Sequence, residues 1–174
     1  MSKNSAKLGK PKPTKKVKHG ALVKKAHALM RDIVLLRDKG CVCPPPKKGH
    51  SGARQAGHII PSVKGGSRFS LWNVHEQCAA CNGRHTRPSD YHVYQGWFQD
   101  KFGHERWDAV RKESENEGLK AYELQELIVQ FENMLAMVKS FPAYAPYFTQ
   151  NEILSGQWQF KYETMMNDMY KAVG

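Results

Sequence analysis

The chain has 174 residues, a net charge of +11 and 40% apolar residues, which suits one modest folded domain with extensions. No run reaches the roughly 18 apolar residues of a membrane span, and no apolar stretch of a signal peptide follows the lysine-rich start. We therefore expect no membrane association and a reducing cytoplasm, where four cysteines fit a metal site better than disulfides.

The positive charge is concentrated at the N-terminus. Residues 1–31 contain nine lysines and one arginine but no acidic residue. An arm over residues 1–20, which includes Lys15 and Lys16, is rich in Lys, Gly and Pro and buries too little apolar surface to fold alone, so we expect it to be disordered. Such an arm predicts sequence-independent binding to DNA or RNA, with a solubilising tail as the alternative.

The first predicted elements are a helix and a hairpin. Apolar residues recur every three or four positions over residues 21–39, which predicts an amphipathic helix that stops at Gly40. Residues 58–60 and 69–77 have the pattern of short strands and are expected to pair as a hairpin. A further helix is expected to start around residues 79–82. These elements predict a mostly helical α+β fold.

The second half of the chain is predicted to be helical. Residues 91–113 read as helical pieces, and residues 119–139 give the clearest amphipathic helix. Its apolar spacing also fits a short heptad seam, so this face either packs in the chain's own core or contributes to a dimer interface. We expect residues 21–140 to form one domain, followed by an aromatic-rich C-terminal extension over residues 141–174.

Two close pairs of cysteines predict a structural zinc site. Cys41 and Cys43 form one pair, and Cys78 and Cys81 form the other. Zinc takes four tetrahedral ligands, and two such pairs supply them. The first pair is a C-x-C, with one residue fewer between its cysteines than the usual C-x2-C. His50 is therefore an alternative ligand in place of one of these cysteines.

The residues between and after these pairs resemble a nuclease family. The segments that carry the resemblance are Gly57-His58-Ile59-Ile60-Pro61, Gly65-Gly66 and Asn73-Val74-His75-Glu76-Gln77-Cys78-Ala79-Ala80-Cys81-Asn82. Their order and spacing are similar to those of the HNH nucleases, also called ββα-metal or His-Me finger nucleases. More narrowly, residues 21–135 resemble the NinG (Rap) recombination proteins of lambdoid phages. The resemblance implies a zinc-stapled ββα-metal core flanked by amphipathic helices.

The resemblance also implies roles for three residues. His58 would be the general base that takes a proton from water, a task that suits an imidazole near neutral pH. Asn73 would help to set the hairpin that presents it. Asn82 would be a ligand of a catalytic Mg²⁺ or Mn²⁺, since an oxygen ligand favours a hard ion.

The metal site implied in this way needs another ligand. Many HNH enzymes have an aspartate before the base histidine, where this chain has Gly57. His75 is the first candidate, because it should share a strand face with Asn73. His85 is the second, since it lies one helical turn from Asn82, and Asp90 is a third.

Substrate and partners follow from charge and from the resemblance. Basic residues around the site would bind phosphates without reading bases, namely Arg54, Lys64, Arg68, Arg84 and Arg87. The resemblance implies cleavage of branched DNA such as Holliday junctions, by a two-fold dimer, in the cytoplasm of an infected bacterial host. The alternatives are an HNH nuclease or nickase of phage packaging or restriction, and a non-catalytic zinc-ribbon protein that binds nucleic acid.

Overall fold

The computed structural model describes residues 18–43, 49–61, 65–84, 88–140, 147–161, 163, 164 and 167, with only the backbone for 88–91. The elements in chain order are α1 His19–Asp38, β1 Arg54–His58, a 3-10 turn Gly65–Ser67, β2 Val74–Cys78, α2 Ala79–Arg84, α3 Pro88–Phe102, α4 His104–Ser114, α5 Ala121–Ser140 and α6 Gln150–Leu154. The predicted mostly helical α+β architecture is confirmed. None of the described helices is long and apolar enough to cross a membrane.

The largest group of buried side chains lies between α1 and α5, which pack against each other. We call this group the helical cluster. The apolar faces predicted for both helices are buried in it, including Met30 and Ile33 from α1 and Leu127 and Phe131 from α5. The regular spacing on α5 therefore serves the chain's own core. Helix α1 ends at Asp38, and Lys39 takes the left-handed conformation with φ of 55°.

The hairpin forms, but its strands are placed differently from the prediction. Strand β1 precedes residues 58–60 and includes only His58 of them, while β2 occupies only the end of residues 69–77. The strands pair antiparallel, with Gly57 opposite His75 and His58 opposite Val74. Residues before β2 form turns instead of a strand, because the Asn73 side chain bonds to the backbone on the other side of the loop.

A second group of buried side chains surrounds the cysteines, and we call it the zinc cluster. Three buried cysteines pack with Ile59 and Ile60 at the end of the hairpin and with aromatic residues of α3 and α4, namely Tyr94, Phe98 and Trp107. Helix α2 follows β2 without a break and carries Cys81 and Asn82. The hairpin therefore has one cluster on each side.

The C-terminal segment packs into the helical cluster. Phe148, Ile153 and Trp158 are buried there. The N–H of Leu71 donates to the carbonyl of Phe148 at 2.8 Å, and the Trp158 indole donates to Gln130 at 2.9 Å. The aromatic residues of this segment thus bury core surface and also brace the loop between β1 and β2.

Candidate active site and metal centre

One group of metal-binding side chains occurs in the described part of the chain. The ligand atoms of Cys41, His50, Cys78 and Cys81 all lie within 4.8 Å of one another. His50 Nδ1 is 3.8 Å from the Cys78 sulfur and 3.5 Å from the Cys81 sulfur. Ligands at usual zinc bond lengths stand about 3.5 to 3.8 Å apart in a tetrahedron. The residues present therefore fit a structural metal ion such as zinc.

Cys43 lies next to this group but outside it. Its side chain is buried, and burial, followed by the neighbouring thiols of Cys41 and Cys81, raises its pKa. The arrangement favours the alternative in which His50 replaces one cysteine of the first pair.

The second cysteine pair is prepared for metal binding. Burial acts against the Cys78 thiolate, but hydrogen bonds from the Cys81 backbone and from His50 outweigh it and lower the pKa of Cys78. Burial, followed by the neighbouring Cys78, raises the pKa of Cys81. Metal binding requires thiolates, so it would release the protons that the ligand thiols hold.

His58 stands at the end of β1 with a fixed orientation. Its Nε2 lies 2.8 Å from the carbonyl oxygen of Arg68, which can only accept, so Nε2 carries the proton. Nδ1 then holds the lone pair, and it makes no hydrogen bond to any residue that the structure describes. Burial is the main reason that the pKa of His58 falls to about 4, so the imidazole is neutral at pH 7. The ring is thus held in one orientation and one tautomer.

Asn73 ties together the two ends of the loop that orients His58. Its Oδ1 accepts from the Ile60 N–H at 2.8 Å, and its Nδ2 donates to the carbonyls of Ile60 and Ser67 at 3.0 and 3.1 Å. The side chain is fully buried. Because Arg68 follows Ser67 directly, the same bonds hold the carbonyl that contacts His58.

Asn82 lies over Gly57 on the other side of the hairpin. A Cβ at Gly57 would come within 2.5 Å of the Gln77 carboxamide and 2.7 Å of Asn82 Oδ1, so a side chain there would require both amide groups to shift. Asn82 Nδ2 donates to Gln55 Oε1 at 2.8 Å. Gln77 Oε1 is buried without a hydrogen-bond partner among the described residues. The space that an aspartate would need is filled by amides.

His75 is placed in the interior. Its Nε2 is 3.0 Å from the carbonyl of Trp72, and its Nδ1 faces Arg37 at 3.3 Å and Asp38 at 3.8 Å. The ring is fully buried among aromatic rings, namely Trp97, Phe98, Phe102 and Tyr147. Burial, reinforced by Arg37, lowers its pKa to about 3. With both ring nitrogens occupied, His75 offers no lone pair to a metal beside Asn82.

Three of the predicted phosphate-binding residues are described, and they differ in their surroundings. Arg54 is half-exposed but forms an ion pair with the buried carboxylate of Glu76, which offsets its charge. Arg84 donates to the Cys81 sulfur at 3.5 Å. Arg68 lies beside His58 and lowers the pKa of that residue through its charge. Of these three described arginines, Arg68 is the one whose charge acts on the candidate base.

The other candidates lie outside the described residues. They are Lys15 and Lys16 of the basic arm, Lys64 in the hairpin loop, and His85 and Arg87 after α2. The side chain of Asp90 is also outside them. Their predicted roles in binding DNA or a catalytic metal stay predictions.

Comparison with protein families gives a match that covers most of the chain. The family model described as Bacteriophage Lambda NinG protein matches residues 2–140. The chain belongs to the NinG family. The family predicted from the sequence is therefore confirmed. Searches against curated proteins and against solved structures gave no match.

The NinG match includes every residue of the candidate site but stops before the C-terminal segment. In this NinG chain, Phe148 and Gln150 of that segment bond to the backbone of Leu71 and Phe69, next to Arg68. Sequence reasoning assigned no role to these contacts. It also missed His27 of α1, whose ring lies against His58. A single histidine at the edge of the apolar face of an amphipathic helix cannot be recognised as a site residue from the sequence pattern.

Proposed function

We propose that this NinG family member is a DNA endonuclease that hydrolyses phosphodiester bonds in branched recombination intermediates, with His58 as the general base. The observation that carries the proposal is the orientation of the His58 ring, whose Nε2–H is held by the Arg68 carbonyl. A protein that only binds nucleic acid needs basic residues and a metal frame. It does not need an imidazole fixed in one tautomer with its other nitrogen unbonded.

The proposed reaction uses His58 as follows. Nδ1 of His58 accepts a proton from a water molecule as the water oxygen attacks phosphorus. The bond from phosphorus to the leaving oxygen then breaks, which leaves a phosphate monoester, and the leaving oxygen takes a proton from a solvent water to become a hydroxyl end. A pKa of about 4 keeps the base unprotonated but weak, and the negative charge of a bound phosphate raises it toward the working pH.

The zinc site acts in this proposal as a frame. It joins residues before β1, at the end of β2 and in α2 through one metal ion, which would be held by Cys41, His50, Cys78 and Cys81. When bound, such an ion supplies folding free energy, since its ligands do not converge in the unfolded chain. The frame lies at the end of the hairpin away from His58, because Cys78 pairs with Arg54 while His58 pairs with Val74.

A catalytic Mg²⁺ or Mn²⁺ at Asn82 is expected from the likeness to HNH enzymes, and the described residues fit it poorly. The polar groups placed beside Asn82 are the amides of Gln55 and Gln77, whereas hard cations usually take at least one carboxylate. His75 is engaged elsewhere. The proposed steps therefore use the chain's own groups, and the cation requirement is measured by omitting divalent ions from the assay.

Branched DNA is proposed as the substrate from the NinG family membership, which suggests a role in phage recombination. The net charge of +11 supports a polyanionic partner. A two-fold dimer would place two active sites on a four-way junction for paired cuts. The infected bacterial cell is the corresponding place of action. Related HNH roles in packaging or restriction would share the site and differ in substrate.

The test is cleavage of a four-way junction, a replication fork, a linear duplex and supercoiled DNA by wild type and by His58→Ala. We expect wild type to cut the junction in preference to the duplex. The variant should lose at least a hundredfold in rate, since a general base contributes about 10² to 10⁴. His104→Ala is the matched control, because His104 is exposed at the start of α4.

Junction binding and zinc content should stay unchanged in His58→Ala. Wild-type activity in this variant would remove His58 as the base. Cleavage of none of the four substrates by wild type, with and without Mg²⁺ or Mn²⁺, would leave the nucleic-acid-binding alternative. Equal rates on junction and duplex would favour a general nuclease.

A further inference from the structure

His27 of α1 forms a pair with the candidate base. The centroids of the His27 and His58 rings are 5.7 Å apart with an edge-to-face arrangement. The His27 ring also packs on Phe69 at 4.9 Å between centroids. Phe69 follows Arg68, whose carbonyl orients His58. Helix α1 thus brings a second imidazole to the same side of the hairpin as His58.

The nitrogens of His27 are available. The side chain is partly exposed, and neither ring nitrogen is hydrogen-bonded to a residue in the described part of the chain. Because the ring is partly exposed, a ligand from solvent can reach it. The packing on Phe69 holds the ring in place beside His58.

The charge around the two rings indicates what could bind there. The guanidinium of Arg68 acts on both imidazoles, after burial, to lower their pKa values. A positive group that disfavours protonation of two neighbouring rings also disfavours a bound cation and favours an anion. Because their pKa values are lowered, both imidazoles are neutral at pH 7, and His27 can donate one N–H. This combination suits a phosphate group better than a metal ion.

We propose that His27 is a substrate-binding residue of the nuclease site, donating its ring N–H to a non-bridging oxygen of the scissile phosphate next to Arg68. The proposal rests on the proposed function, because it places the scissile phosphate beside His58. Nothing covalent happens at His27. It neither takes up nor gives off a proton, and the proton of the attacking water goes to His58 as before.

The experiment uses two substitutions that separate packing from hydrogen bonding. His27→Phe keeps a flat ring against Phe69 but has no N–H. His27→Gln keeps an amide N–H near the position of the imidazole N–H. The substrate is a four-way junction with a single Rp or Sp phosphorothioate at the cleaved position, compared with the all-oxygen junction. His104→Ala serves again as the surface control.

We expect His27→Phe to lower kcat/KM on the all-oxygen junction by about ten- to hundredfold, the range for one hydrogen bond to a charged group. His27→Gln should recover a large part of that loss. Sulfur accepts hydrogen bonds poorly, so one phosphorothioate isomer should slow wild type much more than it slows His27→Phe. Zinc content and thermal midpoint are recorded for each protein, so that misfolding is recognised.

Two results would overturn the proposal. One is a His27→Phe protein that is folded and cuts within twofold of wild type. The other is an equal loss in His27→Phe and His27→Gln, which would assign the effect to packing. If wild type binds the junction but cuts nothing, the proposed function fails instead. In that case junction affinity tests the contact between His27 and the phosphate. The affinity should fall in His27→Phe and recover in His27→Gln.

Discussion

The two clusters of buried side chains on either side of the hairpin are stabilised in different ways. Among the residues that the structure describes, the helical cluster contains eighteen buried residues from α1, α5, β2, the hairpin loop and the C-terminal segment, and none of them is a cysteine. The zinc cluster contains nine, of which three are cysteines. Apolar burial alone can stabilise the first, whereas a cluster half that size would gain folding free energy from a metal ion held by the ligands beside it.

The difference matters for His58, which is held by elements from both sides. The chain leaves β1 after His58 and continues into Ile59 and Ile60 of the zinc cluster. Its ring, in contrast, faces His27 of α1 and the Arg68 carbonyl, in a loop that the C-terminal segment braces. Metal loss should therefore disturb the backbone that carries His58, while the surfaces around its ring belong to the helical cluster.

The largest effect is expected from removing a zinc ligand. Cys81→Ser should lose the bound zinc and unfold the zinc cluster, because structural zinc supplies about 10 kcal/mol or more of apparent binding free energy at neutral pH. Zinc content by mass spectrometry under native conditions and thermal melting check this. An unchanged zinc content and midpoint would show that this group does not hold a metal.

Cys43→Ser is the matched control for the same cluster. The thiol of Cys43 lies outside the four converging ligands, so the variant should keep one zinc ion per chain, and His50→Ala should weaken binding. The opposite pattern, with zinc lost in Cys43→Ser and kept in His50→Ala, would restore the all-cysteine site.

A cavity in the helical cluster should have the next largest effect. Phe131 of α5 is fully buried, and Phe131→Ala should lower the free energy of unfolding by about 3 to 5 kcal/mol. Urea unfolding before and after zinc removal measures it. Val129→Ala on the exposed side of α5 should change the value by less than about 0.5 kcal/mol. A loss in Phe131→Ala that appears only with zinc bound would contradict the separation of the clusters.

The effect of His75 is the smallest when it is taken over a single pH unit, and this residue lies where the hairpin meets α1 and α3. Its pKa of about 3 in the folded chain is below the unfolded value of about 6.5, so the unfolded chain binds a proton in between. The free energy of unfolding should therefore fall by about 1.4 kcal/mol for each pH unit of acidification in that window.

Urea unfolding of wild type and His75→Gln at several pH values measures this contribution. Zinc release in acid affects both proteins, so the difference between their slopes isolates His75. The variant should have the shallower slope, and His104→Ala should keep the wild-type slope. Equal slopes in wild type and His75→Gln would mean that His75 is not buried in its neutral form.

The parts of the fold with strong local patterns were predictable from sequence. The periodic stretch over residues 119–139 became α5 at Ala121–Ser140, because its apolar face and its burial coincide. Strand β1 was misplaced because Arg-Gln-Ala-Gly-His has no apolar alternation, and its pairing depends on register and on the Asn73 side chain. The fold of the C-terminal segment follows from contacts with distant helices, which local patterns do not report.

The sequence indicated which residues belong to the candidate site better than it indicated which of them lie together. The spacing of the cysteines predicted a metal site and left His50 open as an alternative ligand. The structure favours His50, because its ring nitrogen lies close to the sulfurs of Cys41, Cys78 and Cys81. The strand pairing places His75 opposite Gly57 and Asn82 over the same glycine, with His58 on the other face. That alternation depends on register, and a shift by one residue would reverse it. His27 reaches the site through helix packing alone.

The most direct test of the central claim is the single-turnover rate of junction cleavage by wild type and His58→Ala at equal junction occupancy. Saturating protein removes differences in binding, and zinc content confirms that the frame is intact in both. If His58 is the general base, wild type cuts the junction and the variant loses at least about a hundredfold in rate. Equal rates in the two proteins, or no cleavage by zinc-loaded wild type, would contradict it.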